Sequence, residues 1–259
     1  MMNQKRYDIS ALSILAHSVL NDGGSEYARN KAIISQFFRS SCAVEYKEEV
    51  RLILIDSLYS TNVAAKRLFG IGDIAEKLRR TFANDAGLKK NASQWIESGF
   101  DDGSPLYDLF AEDYGIDKSG EVGKGAYSLL SKYLYFATDY AFPIYDALGA
   151  KHYYLAKKKN VLNFQARFRI LQEIMRKYGV DSFDSLDNFF WLYGKISAGS
   201  LSLVLNKAKY IELMRNAGER SIADIVNAIR TRKDATALRA IIGAALYEFI
   251  QKTALMGKE

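Results

Sequence analysis

The sequence predicts an all-α protein, and three observations carry that reading. Only two prolines, Pro105 and Pro143, interrupt 259 residues, so long stretches keep every N–H that a helix needs. Apolar residues recur at spacings of three and four, which lines them along one helical face. Alternating apolar and polar runs of strand length are scarce.

Taken in order, Ile9 to Leu20 sets Leu12, Leu15, Ala16 and Leu20 on one stripe, and Ile33, Ile34, Phe37 and Phe38 mark the next helix. Val50, Ile53, Leu54 and Leu58 extend a third to Ser60-Thr61-Asn62, a cluster that ends or caps a helix. Phe69-Gly70-Ile71-Gly72 breaks the chain, and Asp73 is expected to cap Ile74–Phe82. Asn91–Ser98 carries Trp95, and a loop then leads to Pro105 at the first position of a short helix over Leu106–Tyr114. Gly115, Gly120, Gly123 and Gly125 make 115–125 the expected hinge or hairpin. Helices follow over Ala126–Thr138, Pro143–Lys158, Asn163–Tyr178, Ser182–Tyr193, Leu201–Asn216, Ile222–Thr231 and Ala235–Leu255, with Gly194 expected as a C-terminal cap. The length suits two helical lobes, 1–119 and 120–259, or one composite domain, with the glycine-rich stretch as the joint. No period of 20–50 residues recurs, which argues against a helical solenoid.

Composition limits the chemistry. One cysteine, Cys42, excludes an internal disulfide, and with only His17 and His152 the chain lacks the ligands of a standard zinc site, while the single cysteine cannot hold a four-cysteine iron–sulfur cluster. The expectation is a protein without metal, haem, iron–sulfur cluster or other cofactor. The opening MMNQKRYDIS is polar, and no stretch approaches the roughly 20 apolar residues of a membrane span. A cytoplasmic protein with no membrane partner is expected.

Charge is informative through its placement. Lys and Arg total 36 against 30 Asp and Glu, an excess of +6. Ala147 to Gln172 holds six basic residues, Lys151, Lys157, Lys158, Lys159, Arg167 and Arg169, and no acid, so this block equals the entire excess. Amides and aromatic rings interleave with it, the mixture that meets phosphate, sugar and base together. DNA is the expected partner.

Just before the block, Gly120-Glu121-Val122-Gly123-Lys124-Gly125-Ala126 leads into a helix containing Ser131-Lys132-Tyr133, and a break at Thr138-Asp139 leads to Phe142-Pro143-Ile144-Tyr145-Asp146. This order, over Gly120 to Tyr153, resembles the helix-hairpin-helix superfamily of DNA glycosylases. The resemblance implies a helix-hairpin-helix element near residues 106–138 and excision of a damaged or modified base. It implies Asp146 as the catalytic carboxylate, and Gly123 and Gly125 as the places where hairpin backbone meets phosphate. Lys151, Lys157, Lys158, Lys159 and Arg167 then hold the strand, and Tyr145 belongs to the base pocket. Members that attack the sugar with an amine carry a lysine after the hairpin. Lys124 lies nearest that place, and Lys132, 14 residues before Asp146, is the other candidate. The Ser-Lys-Tyr, Pro-Ile-Tyr-Asp and Trp-Leu-Tyr-Gly segments are also similar to a group of bacterial proteins without assigned activity.

Two other readings fit the same residues: a DNA-binding or defence component without catalysis, and a helical protein-interaction domain whose lysines meet an acidic partner. Gly70-Ile71-Gly72 is not a nucleotide fingerprint, because it lacks the preceding strand and the third glycine.

Overall fold

A computed structural model of the protein describes residues 9–21, 25–40, 45–59, 61, 63, 67–146 and 164–197. The described residues are helical, with only isolated bridges in place of strands. The helices are α1 (Ile9–Leu20), α2 (Glu26–Arg39), α3 (Lys47–Leu58), α4 (Ile71–Thr81), α5 (Asp85–Glu97), α6 (Pro105–Ala111), α7 (Tyr127–Ala137), α8 (Phe164–Tyr178) and α9 (Phe183–Ser197). The helices expected between Leu201 and Leu255 lie outside the described residues.

The chain divides into two compact units, one of residues 1–29, 148–158 and 174–259, the other of 30–147 and 159–173. Gly120 falls inside the second unit, so the glycine-rich stretch is an internal loop of that unit. In the first unit α1 packs along α9. Phe189, Phe190 and Leu192 are buried there, and the Tyr27 hydroxyl donates to Asn188 Oδ1 at 2.8 Å.

The second unit holds the candidate site. Its α7 packs on α3 and α5, and α6 packs on α4 and α5. Trp95 is the centre of an aromatic core, with ring centroids of Phe100, Phe110, Phe142 and Phe168 all 5.5–6.0 Å away. Two of these pairs are edge-on, one is tilted and one stacked, and such pairs add to the area they bury. The indole N–H donates to the Asp101 carbonyl at 2.6 Å, which settles the one polar atom of that ring.

Several helix boundaries differ from expectation for local reasons. α4 begins at Ile71, with Gly70 as N-cap, and Asp73 sits in the first turn, where the helix dipole favours a carboxylate without any cap bond. α5 starts at Asp85, because the Asn84 side chain accepts the Gly87 N–H at 2.8 Å. α6 has Pro105 in its first turn as expected, with Ser104 capping it, but ends at Ala111. α9 continues through Gly194 to Ser197, so that glycine does not cap it. Pro143–Asp146 is not helical, and the rest of the helix expected there lies outside the described residues.

Between α6 and α7, residues 112–126 form a loop closed by bridges between Ile116 and Val122 and between Leu68 and Gly115. This is a longer, strand-like connection than the tight turn implied by the glycosylase resemblance. Gly115 is required here by proximity: a Cβ would lie 2.2 Å from the Arg67 carbonyl oxygen and 2.8 Å from Leu68 Cα, both backbone atoms. Gly115→Ala is therefore expected to open this bridge and cost about 1–3 kcal/mol, read as a lowered urea midpoint at unchanged m-value.

An ion pair joins α3 to α5. Arg51 donates to both Asp85 oxygens at 2.9 and 3.0 Å, and Lys47 donates to the same carboxylate at 2.7 Å. Burial alone would raise the Asp85 pKa, but the bonds from Arg51 and Lys47 outweigh it and hold the group down at about 2, against an ordinary 3.8. A depressed carboxyl contributes stability that is complete above the unfolded-state pKa and is lost as pH falls through the folded one. Stability is thus expected to decline between about pH 4 and pH 2, and Asp85→Asn to remove that part of the slope in urea titrations at stepped pH.

Candidate functional site

The turn after α7 explains how distant residues meet. Asp139 and Tyr140 adopt φ of 50° and 74°, and the Tyr140 N–H returns to the Tyr135 carbonyl at 2.7 Å. Thr138 Oγ1 then accepts the Phe142 N–H at 3.1 Å, and buried Ser131 Oγ accepts the Tyr145 N–H at 2.9 Å. The segment from Phe142 to Asp146 therefore runs back beside α7, and residues 14 apart in sequence come together.

Lys132 and Asp146 are that pair. Lys132 Nζ donates to Asp146 Oδ2 at 3.2 Å and to the Tyr59 carbonyl at 3.2 Å, and lies 5.6 Å from the Tyr59 ring centre. Lys132 is 3% exposed, while the Asp146 side chain retains 20%. A desolvated ammonium needs such partners, since leaving one unpaired costs several kcal/mol. Of the two lysines weighed from the sequence, Lys132 is the one held against Asp146, and Lys124 lines a nearby cleft.

That cleft, about 230 Å³, is lined by Thr61, Val63, Leu68, residues 124–129 and Tyr145. It adjoins the pair through the chain: Ser128 stands one helical turn before Lys132, and Tyr145 immediately precedes Asp146. The Tyr145 ring lies 5.4 Å from that of Tyr127, and the Arg167 guanidinium stacks 4.2 Å from the Tyr145 centre. Burial raises the pKa of both phenols, and at Tyr145 the neighbouring Arg167 cation only partly offsets it. Both rings therefore keep their protons at neutral pH.

The glycines of the loop serve different ends. A Cβ at Gly125 would meet Tyr127 Cε1 at 2.3 Å, so its absence lets that ring lie across the backbone. Gly123, at φ 152°, gives its N–H to the Gly115 carbonyl at 3.3 Å, and Lys124 gives its own to the same oxygen at 3.2 Å. A phosphate would have to displace these internal bonds to use those two N–H groups.

The basic block is divided. Lys151 and Lys157–Lys159 lie outside the described residues. Arg167 reaches the Tyr145 ring, as above. Arg169 is exposed and donates to the carbonyls of Gly99 and Phe100 at 2.9 and 3.0 Å. Gln165 donates to Phe100 O at 2.9 Å and Gln172 to Ile96 O at 3.1 Å, so one stripe of α8 closes the end of α5. The physical reason is the surplus of carbonyls at a helix C-terminus, which attracts donors and above all cations.

Sequence reasoning passed over Tyr59, whose contribution is a carbonyl and a ring face, and Ser131, which precedes Lys132 and clamps the segment bearing Asp146. A backbone acceptor leaves no trace in residue identity. Among the described residues, no cluster of His, Cys, Asp and Glu is placed to hold a metal ion, and no helix is long and apolar enough to cross a membrane. No family model, curated protein or solved structure matches the chain.

Proposed function

We propose that this chain is a cytoplasmic DNA N-glycosylase that uses Lys132 as nucleophile and Asp146 as its carboxylate partner. The observation that supports the reading is the 3.2 Å contact between a desolvated amine and a carboxylate beside an aromatic cleft. Asp146 takes a proton from the Lys132 ammonium, and the neutral amine attacks C1′ of the sugar. The bond from C1′ to the base nitrogen breaks, and the base leaves with the electron pair and takes up a proton. Sugar-ring opening gives an imine that water hydrolyses, returning the amine. During bond breaking the carboxylate also stabilises positive charge on the sugar, in a site where little water screens it.

In this reading Tyr145 and Tyr127 stack a base taken out of the duplex. Arg167, Lys151, Lys157, Lys158 and Lys159 meet phosphates, with Gly123 and Gly125 in the neighbouring loop. A second reading, a DNA-binding module without catalysis, draws on the 3% exposure of Lys132, which leaves little amine surface for an arriving sugar. Duplexes carrying single modified bases separate the two. Native protein is expected to generate abasic product from at least one of them, with none from Asp146→Asn. Binding without product from any duplex favours the module, and binding insensitive to salt removes DNA from both readings.

A further inference from the structure

The reversal that brings Asp146 to Lys132 is held by a polar stripe of α2. Asp139 and Tyr140 both adopt left-handed backbone, φ 50° and 74°, which a bulky side chain such as tyrosine rarely keeps unless its surroundings impose it. Lys31, Ser35 and Arg39 stand four residues apart on α2, along one side of it, and all three reach this turn. Lys31 is 5% exposed, and its Nζ lies 4.2 Å from the Tyr140 ring centre and 5.5 Å from that of Tyr135. These rings belong to the two residues whose backbone bond closes the turn, and their centres are 4.9 Å apart. Ser35 Oγ donates to the Lys31 carbonyl at 2.6 Å, so in its bond with the Tyr140 hydroxyl the serine accepts and the phenol donates. Arg39 donates to Asp139 Oδ1 at 3.4 Å, and Lys89 of α5 to Oδ2 at 2.8 Å.

We infer that Lys31 and Ser35 are positioning residues for the Lys132–Asp146 pair: by fixing Tyr140 in left-handed backbone they set where the carboxylate stands against the amine. Their effect travels through the chain. Asp146 follows Tyr140 by six residues, and the segment between is pinned at the Phe142 N–H by Thr138 and at the Tyr145 N–H by Ser131, so a shift of the turn is passed on to the carboxylate. A displacement of about 1 Å between reacting groups is enough to slow a reaction by roughly 10- to 100-fold. The inference deepens the glycosylase reading, and the DNA arm of its test rests on that reading.

A water-soluble carbodiimide joins a carboxylate to an amine in direct contact, and the resulting amide between Lys132 and Asp146 is counted by mass spectrometry without any DNA. Borohydride trapping on graded concentrations of an abasic duplex is measured alongside. Lys31→Met is expected to lower the cross-link about threefold or more and the saturating trapping rate about tenfold or more, with the half-saturating duplex concentration unchanged within about twofold. Tyr140→Phe keeps the ring and loses the bond to Ser35, so it is expected to act in the same direction and by less, and it decides the matter alone if Lys31→Met does not fold. Lys77→Met, which removes a solvent-facing ion pair with Glu112, is expected to change neither readout. An unchanged cross-link, an effect confined to the half-saturating concentration, or no cross-link in native protein overturns the inference and leaves the glycosylase reading to stand on trapping by native protein. A cross-link lost in the variants, with no trapping by native protein, sustains the positioning role and removes the glycosylase reading.

Discussion

Lys132→Met is expected to reduce borohydride-trapped adduct on an abasic duplex by on the order of 10³-fold or more, because no other group in the pair can form the imine. Stability should respond in the opposite sense to intuition. Methionine fills the same volume without a charge to desolvate, and Asp146, 20% exposed at its side chain, can turn to water. Removing one member of a buried pair is costly when it strands a buried partner charge, and the 20% exposure of Asp146 limits that cost here. Asp146→Ala makes the converse case. It leaves the ammonium, 3% exposed, with the Tyr59 carbonyl as acceptor and is expected to cost about 3–5 kcal/mol. Urea unfolding of both variants, beside the trapping assay, separates a reactive lysine from a purely structural one. If Lys132→Met is the more destabilised of the two, the pair is serving the fold first.

The largest loss of stability is expected at Arg51. Its guanidinium is 1% exposed, stacks 4.4 Å from the Phe38 ring centre, and donates to the Phe37 and Phe38 carbonyls at 3.4 and 3.1 Å as well as to Asp85. Burial lowers the Arg51 pKa, but the bonds it gives to Asp85 and Tyr133 outweigh it and the net shift is upward, so the charge persists. Arg51→Ala strands two carbonyls, leaves Asp85 with Lys47 as its cationic partner, and leaves a cavity against Phe38. A loss of about 3–5 kcal/mol follows, a large fraction of the ~5–15 kcal/mol that holds a typical domain. Arg51→Lys should recover only part of it, because an ammonium cannot serve all of these acceptors in one plane. Chemical unfolding with matched m-values measures both changes.

These two lysine and arginine sites show what was legible beforehand and what was not. The helical class follows from apolar spacing and scarce prolines, and α7 and α8 emerge within a residue of their expected limits. Asp146 and Lys132 were both visible as candidates, since one follows an apolar-proline entry and the other sits among Leu129, Leu130, Tyr133 and Phe136. Their contact was not visible. It depends on two residues with positive φ, Asp139 and Tyr140, that reverse the chain, and neither is a glycine that would have advertised the turn. Arg169 has a second role that a run of cations does not reveal: on α8, four residues from Gln165 and three from Gln172, it donates to open carbonyls at the end of α5. Gly194 looked like a helix stop, but α9 runs through it to Ser197.

In the proposed reaction the amine of Lys132 reaches C1′ of a DNA sugar. Native protein, reduced with borohydride in the presence of an abasic duplex, is digested and the modified peptide sequenced by mass spectrometry. A deoxyribose adduct on Lys132 is expected. An adduct carried by Lys124 or another lysine, or no adduct at all, would contradict it.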